Sequence, residues 1–271
     1  MRPARPARPA PVIPRLLYLP ASIGLALLVL PLAGLLLKVD WAALPALLLS
    51  PEALQPLGLS LVTASVSTLL CLLLGVPLAV VIARSKPRAA GLLRALVTVP
   101  LVLPPLVGGI ALLSLLGRGG VLGNTLELAG LRIPFTTAAV VIAQTFVALP
   151  FLVIAVEGAL RTAGIRYERV AATLGAGRGT VFARITLPLV GPGLLAGTVL
   201  SFARALGEFG ATALFAGNQV GVTRTMPLAI YTAFNGSGVT TDQAVALSLL
   251  LIAVAVIILV LVGTRRASVL S

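Results

Sequence analysis

Long apolar runs separated by short polar connections make up most of this chain. Six runs are long enough to cross a hydrocarbon core of about 30 Å, which takes about 20 helical residues. The pattern therefore predicts an all-α polytopic membrane protein with six transmembrane helices. The runs are Leu16–Leu37, Leu57–Ala83, Ala95–Leu116, Phe135–Val156, Leu189 to about Phe215, and Ala244–Val262.

Composition supports a membrane protein and excludes several kinds of site. Of the 271 residues, 59% are hydrophobic and 10% charged, with a mean hydropathy of +1.13, far more apolar than one soluble core of this size requires. The chain has no histidine and no GxxxxGK[ST] phosphate loop, so any work done with ATP must come from another chain. The single cysteine, Cys71, lies in an apolar run, and we interpret it as a small packed residue. We expect no catalytic residue, metal site or cofactor in this chain.

Basic residues are distributed unevenly between alternate connections. By the positive-inside rule, both termini and the connection after the fourth run lie in the cytoplasm. This distribution accounts for the net charge of +13 without a nucleic-acid partner, because the charges lie in short connections rather than in one patch. The fifteen residues on the predicted inner side are Arg2, Arg5, Arg8, Arg15, Arg84, Lys86, Arg88, Arg94, Arg161, Arg166, Arg169, Arg178, Arg184, Arg265 and Arg266, against Lys38, Arg118, Arg132 and Arg224 on the outer side.

The N-terminal segment differs in composition from the rest of the chain. Residues 1–14 are a basic tail of mainly Pro, Ala and Arg, which we predict to be disordered because it has little to bury. Residues 15–271 are predicted to form one transmembrane domain. We interpret Leu16–Leu37 as a retained first helix, because it is longer than the roughly 7–15 apolar residues of a signal peptide.

Prolines interrupt the third run in the sequence VPLVLPPLVGG. Pro100, Pro104 and Pro105 each remove a backbone donor and clash with the preceding turn, so this run cannot be a straight helix. Broken helices at membrane depth are tolerated where they line a cavity or are buried in protein. The break at Pro104 and Pro105 is therefore either part of a translocation pathway or a packing kink.

The stretch from Arg166 to Pro188 is polar, contains several glycines and lies on the predicted cytoplasmic side. Apolar residues at helical spacing predict a short helix, which Gly175 ends by adopting a left-handed conformation. Thr180 is a suitable N-cap for a second short helix, and Pro188 is expected to end it, because the residue before proline avoids the helical region. This is the largest segment on that side able to bind another protein. The residues predicted to share one face of the first helix are Ile165, Val170, Ala171 and Leu174.

One basic residue, Arg204, lies within the fifth apolar run. An arginine near the bilayer centre costs about 2.5–3.5 kcal/mol on insertion scales, so such residues usually face a bundle interior or water. Glu208 follows four residues later and can pair with it across one helical turn. Two interpretations stay open, a pair that faces a pathway and a helix-end pair near the outer headgroups.

A short apolar segment, Thr225–Phe234, lies between the fifth and sixth runs on the predicted outer side. It is too short to span a membrane, so we expect it to be interfacial or re-entrant. Such a segment could close the outer end of a pathway.

The stretch from Arg166 to Pro188 resembles the EAA loop of bacterial ABC-importer permeases, which reads E-A-A, three residues, G, nine residues, I, one residue, L-P. Arg169 and Val170 stand where that loop has Glu and its first Ala, and Glu168 is one place early. The resemblance implies a coupling helix that sits in a groove of an ATPase subunit, within a cytoplasmic loop at 157–188. The residues implied in coupling are Glu168, Arg169, Val170, Ala171, Gly175, Ala176, Ile185, Leu187 and Pro188.

A second stretch, Ala203–Phe234, resembles the corresponding segment of molybdate-transporter permeases, with LGEFGAT, AGN and T-x-PLAIY elements. The resemblance implies a type I ABC-importer permease fold and import of molybdate or tungstate across the cytoplasmic membrane of a bacterium or archaeon. It also implies a homodimer, two cytoplasmic ATPase subunits that carry ATP and Mg, and an external binding protein. The implied pathway residues are Arg204, Glu208, Pro104 and Pro105.

Other functional classes predict different features. Sulfate permeases are similar through RALGEFGA and diverge afterwards, so a sulfate or thiosulfate ABC permease is an alternative. A secondary anion transporter would also be a helical bundle, but the sequence has no second pair of broken helices, and Glu208 is its only acid suited to proton coupling. A membrane enzyme is disfavoured, because seven acids, mostly in connections, offer no carboxylate pair or nucleophile with a nearby base.

Overall fold

The computed structural model describes residues 14–236 and 241–269. Within these ranges the chain is helical and contains no strand. A 3₁₀ turn at Arg15–Leu17 precedes α1, and a π-helical segment at Phe182–Thr186 joins α9 to α10. The helices are α1 (Tyr18–Leu37), α2 (Leu44–Leu48), α3 (Pro51–Arg84), α4 (Pro87–Val102), α5 (Pro105–Leu116), α6 (Gly123–Leu128), α7 (Thr137–Ala163), α8 (Arg166–Thr173), α9 (Arg178–Val181), α10 (Leu187–Leu189), α11 (Gly191–Leu206), α12 (Gly210–Phe215), α13 (Met226–Asn235) and α14 (Thr241–Val269).

Three of the described helices, α1, α3 and α7, are long and apolar enough to cross a membrane by themselves. Two bent pairs, α4 with α5 and the stretch Arg178–Leu189 with α11, raise the number of candidate spans to five. The sixth predicted run, Ala244–Val262, lies within α14. Each predicted run therefore corresponds to helical structure, and the number of spans that cross the bilayer stays a prediction.

Helix α7 is the centre of the bundle, with α3 and α11 packed along it. Small residues of α3, among them Ser67, Cys71 and Gly75, allow close packing. A Cβ added to Gly75 would lie 2.8 Å from the Leu152 side chain. Cys71 is fully buried in the packed position predicted for it. By contrast, α1 has no buried residue, because its apolar side chains face away from this core.

The third apolar run is broken, as predicted. The axes of α4 and α5 differ by 112°, and the break falls at Leu103 and Pro104, where two consecutive prolines leave the chain without N–H donors. Pro100 lies inside α4, so the break itself falls at the Pro104-Pro105 pair. Helix α4 also begins at Pro87, earlier than the predicted run, and so includes Arg88 and Arg94.

The fifth apolar run is not the single helix that the sequence predicted. It bends by 71° at Val190, where the Gly191-Pro192 pair starts a new helix, because proline in the first turn removes no helical hydrogen bond. It breaks again after Leu206, and α12 begins at Gly210. Arg204 therefore lies in the last turn of α11, at the end of a helix and not in the middle of a continuous span.

The segment Thr225–Phe234 forms the ten-residue helix α13, too short to span, as predicted. It packs against α3 and α14, and the Met226 N–H donates a 2.7 Å hydrogen bond to Ser60 Oγ. Its role at the outer end of a pathway stays a prediction. The tail predicted to be disordered, residues 1–14, lies outside the described residues except for Pro14, which is exposed.

Candidate coupling and translocation sites

The first helix of the candidate coupling segment, α8, ends as the sequence predicts. Gly175 has φ +84°, in the left-handed region that glycine adopts without steric cost. The Gly175 N–H donates to the Ala172 carbonyl (3.1 Å), and the Ala176 N–H donates to the Ala171 carbonyl (3.0 Å). This is the Schellman arrangement, and it reverses the chain sharply after the helix.

The apolar face of α8 is not covered by the rest of the chain. Helix α8 has no buried residue, and the Leu174 side chain is 82% exposed. Its apolar residues line an open groove together with the end of the following helical stretch. An amphipathic helix whose apolar face is exposed is suited to bind a partner. The groove is lined by Tyr167, Val170, Ala171, Leu174, Arg184, Ile185, Pro188 and Leu189.

The second helix of this segment differs from the prediction at both ends. Thr180 is not its N-cap, because α9 starts at Arg178 after Gly177 and has no side-chain cap. Pro188 does not end it, because the helical stretch continues through Leu189. A proline in a helix normally clashes with a backbone carbonyl of the preceding turn. The π-helical turn Phe182–Thr186 is wider than an α-helical turn, which relieves this clash for Pro188 and lets Leu187 stay helical.

Glu168 makes its contacts within this chain. Its carboxylate forms an ion pair with Arg84 at the end of α3 and accepts a 2.8 Å hydrogen bond from Thr186 Oγ1. The carboxylate that stands one place before the motif position thus joins α8 to two other elements. Arg169, in the motif position itself, is exposed.

A second carboxylate, Glu157, forms an ion cluster that sequence reasoning missed. Its Oε1 lies 2.5 Å from Arg94 Nη2 and 2.7 Å from Arg161 Nε, and its side chain is only 5% exposed. The four-residue spacing of Glu157 and Arg161 could have indicated that these two residues pair. No such signal exists for Arg94, because it is 63 residues away from Glu157. Residues 157–163, the start of the predicted cytoplasmic loop, belong to α7.

Arg204 and Glu208 are paired, with Arg204 Nη1 2.6 Å from Glu208 Oε2. The Glu208 side chain is 1% exposed and that of Arg204 28% exposed. Glu208 lies beyond the end of α11, and its Oε1 accepts a 2.8 Å hydrogen bond from the Ala211 N–H in the first turn of α12. The pair therefore holds the turn between two helices, rather than bracing one continuous helix as the spacing predicted.

The two broken runs meet at this turn. A Cβ added to Gly210 would lie 2.7 Å from Pro105 Cβ, and one added to Gly109 would lie 2.9 Å from the Ala211 carbonyl oxygen. The start of α5 and the start of α12 are thus in direct contact. The fold brings the break at Pro104 and Pro105 and the turn that Glu208 holds into one region. A pathway role for these residues stays a prediction.

Helix α13 also contacts this turn. The rings of Phe209 and Tyr231 lie 5.0 Å apart between centroids, tilted by 45°, a geometry favourable for aromatic pairs. The short helix is therefore positioned to respond to movement of the turn.

Long apolar helices, two bent helix pairs and an exposed amphipathic helix are features of a membrane permease. Residues 75–269 match the family described as the binding-protein-dependent transport system inner membrane component, and the chain belongs to this family. It is thus a multi-pass protein of the inner membrane with an ABC-importer permease fold.

Two relatives indicate which kind of permease this chain resembles. The chain is 57% identical over 238 residues to the molybdenum transport system permease protein ModB of Mycobacterium tuberculosis, covering 88% of this chain and 89% of the relative. It is 41% identical over 193 residues to the ModB protein of Escherichia coli, covering 71% and 84% of the two chains. The predicted resemblance to molybdate permeases is confirmed.

Among solved structures, the fold is similar to a chain of a bacterial alginate ABC transporter in complex with an alginate pentasaccharide-bound periplasmic protein. The TM-score is 0.72 at 20% identity, with 94% of each chain covered. At this identity the likeness shows the fold alone.

Proposed function

We propose that this chain is the permease subunit of an ATP-driven importer of molybdate. The observation that carries the proposal is the 57% identity, over 88% of the chain, to a molybdenum transport permease. Tungstate, a tetrahedral dianion of nearly the same size, would use the same pathway. The chain itself would hold no ATP and no metal ion, since a separate ATPase would supply hydrolysis.

The proposed topology has six spans with both termini in the cytoplasm. The spans would be α1, α3, α4 with α5, α7, the stretch from Arg178 through α12, and α14. Ion pairs support this arrangement, because Arg84 with Glu168 and Arg94 with Glu157 join residues that the charge distribution assigns to the inner side.

The exposed groove of α8 is proposed to dock on the ATPase. The groove combines apolar side chains with Arg184. A protruding apolar side chain with a carboxylate beside it, on the surface of the partner, would complement the groove. Two copies of the permease would place two such grooves side by side, one for each ATPase subunit.

The region around Arg204 and Glu208 is proposed to face the pathway of the homodimer. A dianion cannot cross bare lipid, since burying even one isolated charge costs tens of kcal/mol by Born estimates. A water-filled passage lined by Arg204 from each chain would lower that cost, while Glu208 limits the net positive charge so that the anion is released. Pro104 and Pro105 supply the irregular backbone that such a passage allows.

Transport would proceed by alternating access. Binding of ATP would draw the two ATPase subunits together and move the α8 helices with them, which opens the passage toward the external binding protein. Hydrolysis would let the subunits separate and return the passage to the cytoplasmic side.

The test is reconstitution of the permease in proteoliposomes with its ATPase and binding protein. We expect ATP hydrolysis to increase when molybdate-loaded or tungstate-loaded binding protein is added, and uptake to depend on ATP rather than on a proton gradient. Stimulation by sulfate alone would assign a different anion. Uptake without ATP would contradict the proposed class and favour a secondary transporter.

A further inference from the structure

We propose that Glu168 and Glu157 close a ring of four helices that carries movement of the ATPase from α8 to the proline break between α4 and α5. The proposal rests on the proposed function and assigns positioning roles to two carboxylates within it. The ring consists of α8, α3, α4 and α7, joined alternately by ion pairs and by two-residue connections.

The first ion pair joins the docking helix to α3. Glu168 lies on α8 and pairs with Arg84, the last residue of α3. Their side chains are 20% and 30% exposed, so water screens the pair only in part. The pair is therefore expected to restrain α8 from sliding along the end of α3.

The second ion pair joins α4 to α7. Glu157 contacts Arg94 through both of its oxygens, with Arg94 Nε 3.2 Å from Oε2 and Arg94 Nη2 2.5 Å from Oε1. A two-point contact of this kind restrains orientation as well as distance. Arg161, one turn further along α7, holds the same carboxylate at 2.7 Å.

Short connections complete the ring. Only Ser85 and Lys86 separate α3 from α4, and only Gly164 and Ile165 separate α7 from α8. Neither connection is long enough to absorb a rigid-body shift while both ion pairs hold. The inner ends of the four helices are therefore expected to move as one body.

The Thr186 hydroxyl extends this body toward α11. It donates to the Glu168 oxygen that also binds Arg84, and Thr186 is buried at the end of the π-helical segment. The segment leads through α10 to the bend at Val190. Movement of α8 thus reaches both α4 and the stretch that precedes α11.

The rigid body ends at the helix breaks. Above the ring, α4 stops at Val102, and α5 starts at Pro105 in contact with Gly210. Gly210 follows the turn that the pair of Arg204 and Glu208 holds. A tilt of α4 would therefore be converted, at the break, into displacement of the turn that we place in the pathway.

The experiment measures anion uptake per ATP hydrolysed in the reconstituted complex. Glu168→Gln and Glu157→Gln each remove one link while keeping side-chain size. The matched control is Glu127→Gln, which removes a carboxylate held at 3.2 Å by Arg118 and at 3.9 Å by Arg132, outside the ring. A charge exchange, Arg84→Glu with Glu168→Arg, restores the first link with reversed polarity.

We expect both ring variants to lower uptake per ATP by about fivefold or more, the lower range of ordinary coupling between two sites, with the ATPase still bound. The charge exchange should recover most of the loss, and Glu127→Gln should leave the ratio unchanged. An unchanged ratio in either ring variant, even with both rates reduced, would overturn the proposal, as would failure of the exchange to exceed Glu168→Gln. Failure of the unaltered complex to show stimulated hydrolysis would instead contradict the proposed function.

Discussion

At the residue scale, the position of Glu208 shows how a charge can be retained inside a membrane protein. Its side chain is 1% exposed, and it contacts both Arg204 Nη1 and the Ala211 N–H. Burying a carboxylate is costly unless it is paired and hydrogen-bonded, and both conditions are met here. A side chain without an acceptor could not hold this turn as Glu208 does, so a test of the proposed pathway role must separate transport from folding.

Replacing Arg204 is expected to reduce transport. Arg204→Ala alone leaves a buried, unpaired carboxylate, so the decisive variant combines Arg204→Ala with Glu208→Gln. A hydrogen bond to a charged group is worth about 1.5–3 kcal/mol, so we expect uptake to fall roughly tenfold or more if the anion contacts Arg204. Uptake is measured in proteoliposomes matched for permease content and bound ATPase. Arg204→Lys, which keeps the charge, is the control, and normal uptake by the double variant would contradict the pathway role.

At the scale of elements, α8 differs from the other amphipathic surfaces of the chain. The apolar side chains of a surface helix normally face its own core, whereas those of α8 line an open groove. The Schellman turn at Gly175 holds the groove in shape by fixing the direction in which the chain returns. The helix is thus preorganised for a partner, which reduces the entropic cost of docking.

Leu174→Asp is expected to weaken ATPase binding. The side chain is 82% exposed, so the change should not disturb the fold, but it places a charge in the centre of the docking surface. Loss of an apolar anchor costs about 2 kcal/mol or more, a reduction of roughly thirtyfold in affinity. Co-purification of the ATPase with tagged permease measures the effect.

The control for this prediction is Leu128→Asp. Leu128 is 91% exposed and lies at the end of α6, on the predicted outer side. This variant should retain the ATPase. Equal retention by Leu174→Asp and Leu128→Asp would show that the groove of α8 is not the docking surface.

At the scale of the whole molecule, the break between α4 and α5 and the turn between α11 and α12 lie next to each other, beyond the inner ends of the helices that the two ion pairs join. Helix α7 runs without interruption from Thr137 to Ala163 and supplies the common core. The bend of 112° between α4 and α5 and the bend of 71° before α11 interrupt helices that pack against this continuous element. Hinge movement around a fixed core is the arrangement that alternating access requires.

The proposed orientation can be tested by cysteine labelling. Because Cys71 is the single cysteine and is fully buried, background labelling should be low. In intact spheroplasts, Asn124→Cys in α6 should react with a membrane-impermeant maleimide, whereas Gly179→Cys in α9 should react only after permeabilisation. The reverse pattern would contradict the orientation inferred from the arginine distribution.

The apolar runs, the helix breaker at Pro104 and Pro105, and the left-handed Gly175 could all be predicted, because each depends on local chain chemistry. The membrane class and the family resemblance followed from the same local patterns. The roles assigned to Thr180 and Pro188 were wrong because they rest on local rules alone. The π-helical turn that accommodates Pro188 is not among the structures that those rules predict. Local rules describe an isolated segment and not its packing.

Which segments are helical and apolar follows from the amino-acid sequence, because burial in lipid requires long runs of nonpolar side chains with their backbone hydrogen bonds satisfied internally. Which charges meet across long stretches of sequence depends on the tertiary structure. Arg94 reaches Glu157 and Arg84 reaches Glu168 across 63 and 84 residues of sequence, and Pro105 meets Gly210. Contacts between residues so far apart depend on the packing of whole helices, which residue spacing along the chain does not specify.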